Sequence, residues 1–154
     1  MNYWLMKSEP DECCIDDIKD STDQCIPWQG IRNYQARNYI RDNIQVGEQV
    51  FFYHSSCKEP GIVGIVEVVS DASADVSAFD NTSPYFDAKS SPEKPRWYSI
   101  DLKFGRKFPK VIRLKQLKAD PALAEMVLVA KGARLSVQPV TVQEWQHISK
   151  LAGE

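Results

Sequence analysis

Apolar positions recur along this chain in two rhythms, and each predicts its own kind of element. Tyr3 to Lys7 is rich in aromatic and long apolar residues and predicts a short strand, ended by Ser8, Glu9 and Pro10. Residues 49–54 and 62–69 are almost unbroken apolar runs, which predict strands covered on both faces. Gly64 inside the second run predicts a bulge or a close backbone approach. The two runs read as a hairpin around a wide loop at residues 55–61. Residues 97–104 alternate: Tyr98, Ile100, Leu102 and Phe104 face one way, Trp97, Ser99, Asp101 and Lys103 the other. Residues 105–109 read as a turn, 110–114 as a further strand and 135–140 as the last one.

The helical rhythm is confined to short segments. Residues 15–19 predict a helix, with Asp16 and Asp17 at its positive N-terminal end. Over residues 34–43 a period of about 3.6 places Ala36, Tyr39 and Ile40 on one face and Gln35, Asn38 and Arg41 on another. Asn33 is its N-cap. Pro121 predicts the start of a helix through about Val129, closed by Gly132. Thr141 and Glu144 predict a capping box, and Val140 with Trp145 a hydrophobic staple, for a C-terminal helix packed through Trp145, Ile148 and Leu151. Residues 70–96 are long for a connection, which means a binding loop or disorder, and Tyr85-Phe86 argues against full disorder. There are no internal repeats. The pattern predicts one domain over residues 1–154, mixed α+β and strand-rich.

A chain of 154 residues buries roughly two-thirds of its extended surface, so the fold needs no metal or disulfide staple. No apolar run approaches the roughly 20 residues of a membrane span, and MNYWLMKSEP lacks the pattern of a signal peptide. The expectation is a cytoplasmic monomer with no membrane partner. Cys13, Cys14, Cys25 and Cys57 form no C-x-x-C pair, and only His54 and His147 could join them, so neither a metal nor another cofactor is expected. In a reducing compartment these are four free thiols.

The net charge of −2 conceals an asymmetry. Residues 88–118 carry ten basic and two acidic side chains, and the rest of the chain nine basic and nineteen acidic. A surface that tracks phosphates needs such a segment, and Lys94, Arg96 and Arg106 are its candidate contacts. The alternative is a solvated strand face with loop lysines.

The densest chemistry lies in residues 28–38, WQGIRNYQARN. Trp28 is a flat ring beside a capped helix start, and Gly30 permits a turn or a close backbone approach. Ring, free backbone N–H groups and amides together suit a flat polar ligand. The competing reading is a Trp that anchors a loop to the core. A base turned out of a helix is read by stacking and by hydrogen bonds along its edge. Stacking candidates are Trp4, Trp28, Tyr34, Tyr53, Tyr85 and Trp97. Edge readers are Asn33, Gln35, Asn38, Ser55 and the backbone at Gly30, while Arg32 and Arg37 hold phosphates or brace the motif. For catalysis the sharpest candidate is His54 with Cys57, but residues three apart at a strand end rarely face each other and no third orienting group is evident. No catalytic residue is assigned, and the expectation is a non-enzymatic binding module.

The same stretch resembles the signature of the EVE domain, of the PUA-like superfamily. Collinear support comes from YWLMKSEP at residues 3–10, FYHS at 52–55, KEPGI at 58–62, PRW at 95–97 and RLSVQP at 134–139. Departures are small: Ile31 stands where Val is common, and Ala88 where Pro is common. The resemblance implies a PUA-like β-barrel of five or six strands flanked by short helices. It implies DNA binding through a modified base, in particular a modified cytosine such as 5-methylcytosine. An RNA reader, or a small-molecule or protein-interaction module using the same pocket, is the alternative. Matching positions are Lys7, Ser8, Trp28, Gly30, Ile31 and Arg32, then Asn33, Tyr34, Gln35, Asn38, Ser55 and Trp97. Tyr53 and Tyr85 join them as stacking candidates, and Tyr34 and Arg37 are the members expected to brace the fold.

Overall fold

Consecutive apolar residues can all be buried only in a strand with cover on both sides, and the middle of the sheet is built that way. The computed structural model describes residues 1–132 and 134–153. In β3 (Gln49–His54), Val50 and Phe52 join one apolar cluster with Trp4, Met6 and Val66, while Phe51 and Tyr53 join a second with Leu5, Ile62 and Ile65. β1 (Tyr3–Ser8) runs parallel to β3, and β4 (Gly61–Val68) runs antiparallel to it. The first cluster is covered by α1 (Ile15–Lys19) and α2 (Tyr34–Asn38) through Ile15, Ile18, Ala36 and the following Ile40. The second lies under α3 (Leu114–Ala119) and α4 (Val142–Leu151), where the Trp145 ring stacks 3.8 Å from Phe51 and 4.5 Å from Tyr3. The capping box of α4 forms as its sequence predicts: Thr141 N–H donates to Glu144 at 2.9 Å, and Glu144 N–H to the Thr141 hydroxyl at 3.1 Å.

The described residues form one seven-stranded sheet in the order β2 (Cys25–Trp28), β6 (Tyr98–Arg113), β4, β3, β1, β7 (Val137–Val140), with β5 (Ser73–Ala74) paired to the start of β6. It does not close into the barrel expected from the sequence. Both end strands are four residues long and each carries a proline, Pro27 in β2 and Pro139 in β7. A proline has no N–H to give to a closing ladder, so these strands suit edges.

Other boundaries move for local reasons. Residues 105–109 are not a turn, because β6 runs straight through them. Its register against β4 shifts near Gly105, where a Cβ would stand 2.7 Å from the Ile65 carbonyl. The bulge exchanges the faces: Ile100 and Leu102 enter the first cluster, Phe108 and Ile112 the second. Gly64 is the close approach expected of it, since a Cβ there would collide with the Arg106 carbonyl and Ile15. The helix expected over residues 34–43 keeps α geometry only to Asn38, after which Ile44 N–H reaches back five residues to Tyr39 and the last turn widens. The helix expected from Pro121 is two 3₁₀ turns, Pro121–Leu123 and Val127–Val129, pinned by buried Leu123, Met126 and Leu128. No continuous helix runs up to Gly132.

Candidate functional site

β2 ends at Trp28, and the chain must leave the sheet and enter α2 within five residues. Gly30 makes this possible at φ +85°, with its Cα so close to the Tyr85 ring that a Cβ would lie 2.7 Å from it. Asn33 then caps α2 by accepting from Ala36 N–H at 3.0 Å. Between these points, Arg32 ties the segment to residues far along the chain. Its Nη1 donates to Asp75 at 3.1 Å, and its Nε donates to the Tyr85 carbonyl at 3.2 Å. Asp75 also accepts from Gly30 N–H at 2.9 Å, and from both the N–H and the hydroxyl of Ser77. Burial pushes the Asp75 carboxyl up, but hydrogen bonds from Ser77, Gly30 and Arg32 outweigh it and hold the group below its ordinary range.

This clamp forms one wall of a cavity of about 560 Å³, a size suited to one small planar ligand. The cavity opens at the ends of the parallel pair β1 and β3, where Ser55 N–H donates to the Ser8 carbonyl at 2.9 Å. Trp28 lines it while keeping only 8% of its surface exposed, with its ring edge-on to Phe52 at 5.5 Å. The two readings of Trp28 are therefore both true: it anchors the loop and it walls the cavity. Its indole N–H is buried with no hydrogen-bond partner among the described residues.

The lining is electrically mixed. Lys7, Arg32 and Arg134 bring positive charge, and Glu9 and Glu12 bring negative charge. Burial lowers the Lys7 ammonium's pKa, which eases the loss of its proton. Burial also pushes the Cys13 thiol up to about 11, helped by Asp17 and Cys14, so this thiol is a poor nucleophile at neutral pH. Burial raises the Tyr85 phenol, with Glu12 adding to the effect. The Tyr85 hydroxyl faces the Glu12 carboxylate at 3.5 Å.

Of the ligand-site positions expected from the sequence, the cavity gathers Lys7, Ser8, Trp28, Gly30 and Ile31, together with Arg32, Asn33, Ser55 and Tyr85. Four others lie elsewhere. Gln35 is exposed on α2. Asn38 accepts from Arg37 at 2.8 Å. Tyr53 is buried in the second cluster. Trp97 stands behind the wall, stacked on Tyr34 at 4.9 Å and donating to Asp87 at 2.7 Å. Tyr34 and Arg37 brace the motif: the Arg37 guanidinium lies 4.8 Å from the Tyr34 ring and donates to the Arg96 carbonyl at 3.0 Å. Lys94, Arg96 and Arg106 do not line the cavity. Glu9, Glu12, Cys13, Gln29, Arg134 and Ser136 line it without having been expected from the sequence. For Glu9, Gln29, Arg134 and Ser136 a signal existed, since they fall within the KSEP, WQGIRNYQARN and RLSVQP stretches. Asp75 gave none, since it stands in an unpatterned polar segment.

Residues 2–151 match the EVE domain family model. The chain is 39% identical over 168 residues to thymocyte nuclear protein 1 of Gallus gallus, an alignment covering 99% of this chain and 69% of that protein. Among solved structures, a Pseudomonas syringae protein superposes with a TM-score of 0.93 at 47% identity, over 97% of this chain and 99% of that one. Human THYN1 protein, crystallised in complex with 5-methylcytosine-containing DNA, superposes with a TM-score of 0.94 at 37% identity, over 100% of this chain and 99% of that one. Sequence and fold agree over nearly the full length, and the chain belongs to the EVE-domain family.

Proposed function

We propose that this domain is a non-catalytic reader of nucleic acid that holds a modified base, 5-methylcytosine in DNA, turned out of the helix into the cavity beside Trp28. The observation that carries this reading is the cavity itself. It is walled by the stretch that marks the family, in a fold that superposes on a relative crystallised with 5-methylcytosine-containing DNA. The chemistry of the walls supports it. Trp28 and Tyr85 offer apolar ring surface, and Ser8, Asn33 and Ser55 offer polar groups for a heterocycle's edge. Lys7 and Arg134 at the cavity, with Lys94, Arg96 and Arg106 beyond it, supply cations for the backbone phosphates.

One added methyl group gives modest discrimination, on the order of tens of fold in a fitted pocket. The test is a fluorescence-anisotropy titration of matched DNA oligonucleotides bearing cytosine, 5-methylcytosine or 5-hydroxymethylcytosine, beside an RNA bearing N6-methyladenine. The expected order places the modified cytosines first. Equal affinity for all four overturns the reading, and a preference for the RNA replaces the substrate class.

A further inference from the structure

A base that leaves a duplex leaves a gap, and a protein that flips bases gains by filling it. The residue that follows the cavity-lining Tyr85 has a side chain shaped for this. Phe86 follows Tyr85 directly in the chain, yet the residue is 43% exposed while Tyr85 lines the cavity. Phe86 belongs to neither buried cluster.

Although the ring is exposed, the backbone beneath it is held at every step. Tyr85 N–H donates to the Ser83 hydroxyl at 3.1 Å, and Phe86 N–H donates to the Ser83 carbonyl at 3.2 Å. Asp87 N–H donates to the Ala78 carbonyl at 3.0 Å. Arg32 binds the Tyr85 carbonyl through Nε and Nη2, and Trp97 donates to the Asp87 carboxylate at 2.7 Å. An apolar ring is thus presented to solvent on a stiff support, one residue along the chain from the cavity wall. Lys89 and Lys94 are exposed on the same segment, and so are Asp80 and Glu93, so the partner is taken from the nucleic-acid reading of the cavity rather than from local charge.

We propose that Phe86 is a wedge that enters the base stack of a duplex where the base bound in the cavity has left it. The proposal rests on the reading given under Proposed function. Apolar side chains inserted between base steps are an established way to hold a duplex open, and a flat ring can stack on the bases beside the gap. Val76, also exposed near the clamp, is smaller and has no planar face.

The wedge matters only where there is a stack to fill. The experiment compares wild type, Phe86→Leu and Phe86→Ala on two probes, a fully paired DNA duplex with one central 5-methylcytosine and the same modified strand alone, with wild type also titrated against that strand carrying plain cytosine. Phe86→Ala is expected to lose about tenfold or more on the duplex, the size of one base–aromatic stacking contact, with less than about twofold loss on the single strand. Phe86→Leu, which keeps an apolar wedge, is expected to fall between. A 2-aminopurine placed next to the modified cytosine in the duplex should change its fluorescence on adding wild type and not on adding Phe86→Ala. Thermal melting should be near wild type in both variants, since the ring lies outside the core. Equal loss on both probes, or no loss on the duplex, overturns the wedge. The single strand alone tests the cavity: if wild type prefers the modified strand there but Phe86→Ala shows no duplex-selective loss, the wedge alone falls. If wild type does not prefer it, the base-reading proposal falls and the wedge falls with it.

Discussion

Asp75 is the residue on which the cavity wall turns, and replacing it with Asn tests that role with the smallest change of shape. Its carboxylate is fully buried, while Arg32 keeps 25% of its side chain exposed. One oxygen, Oδ2, accepts from Gly30 N–H at 2.9 Å and from Arg32 Nη1 at 3.1 Å. The other, Oδ1, accepts from the N–H and hydroxyl of Ser77. An amide can replace only one of these oxygens with another acceptor. In either orientation its NH₂ points at existing donors, and the backbone of Gly30 or of Ser77 loses its partner. A buried unsatisfied N–H costs ~1–3 kcal/mol. Losing one member of a fully buried ion pair costs ~3–5 kcal/mol, but Arg32 can turn partly to water, so its share is smaller. Asp75→Asn should therefore lose about 2–4 kcal/mol of a total that is ~5–15 kcal/mol for a domain. At roughly 2–4 °C per kcal/mol, that lowers the melting temperature by about 5–15 °C. Urea denaturation followed by circular dichroism measures it. The same variant carries a pH signature. A carboxyl held below its ordinary value stabilises the fold above the unfolded pKa of about 3.9, and this stabilisation fades as pH falls through the folded value. Asp75→Asn should lack that part of the acid-side slope. A loss under about 1 kcal/mol with an unchanged slope would refute the idea that this carboxylate holds the wall.

Two further outcomes follow from the structure. His54 Nε2 accepts from Ile15 N–H at 3.2 Å at the start of α1, and burial lowers its pKa, partly opposed by Asp16 and reinforced by Lys107. The unfolded chain then binds the proton more readily, so stability is full above the unfolded pKa of about 6.5 and falls as pH drops below it. Melting curves from pH 8 to pH 5 should show this in wild type and a flatter trend in His54→Gln, which keeps an acceptor that does not titrate; parallel curves would exclude the effect. On the basic segment, changing Lys94, Arg96 and Arg106 together to Ala should flatten the dependence of DNA affinity on salt, by roughly 0.7–0.9 in the log–log slope for each phosphate that is no longer neutralised. An unchanged slope removes these residues from the interface.

The parts of the fold visible in the sequence are those where one local pattern decides the outcome. Asn33 and the Thr141–Glu144 pair cap helices because the acceptor and the orphan N–H groups are three residues apart. The apolar run of β3 announced cover on both faces, and both clusters are there. What stayed hidden depends on partners distant in the chain. β2 is four residues with a proline inside, weak as a local signal, and it exists because Trp28 pairs with Ile100 and Cys25 with Lys103. Gly105 looked like a turn because a glycine that bends the chain and one that admits a neighbouring carbonyl read alike.

The site divides along the same line. Nine of the thirteen expected ligand-site positions meet at the cavity: Lys7 and Ser8 from the end of β1, Trp28 from the end of β2 with the four that follow Gln29, Ser55 from just past β3, and Tyr85 from the loop before β6. Trp97 was misplaced for a reason that no spacing rule repairs. A flat ring can stack on a base or on the protein's own cations, and its composition is the same in both roles. Trp97 lies 5.3 Å from the Arg32 guanidinium and 4.9 Å from Tyr34, which in turn lies 4.8 Å from Arg37. These contacts already use the ring surface that a base would need. Asn38 is the polar counterpart: its carbonyl looks like an edge reader in sequence but is occupied by Arg37 and Arg41. Around the cavity, then, the residues whose types most suggest recognition fall into two sets, those that face the opening and those that stiffen it. The second set explains why the first can be so sparsely supported by its own strand. Gly30 has no side chain to pack and Arg32 has to cross 43 residues of sequence to reach Asp75, so the wall keeps its shape through that buried carboxylate in front and the ring stack behind.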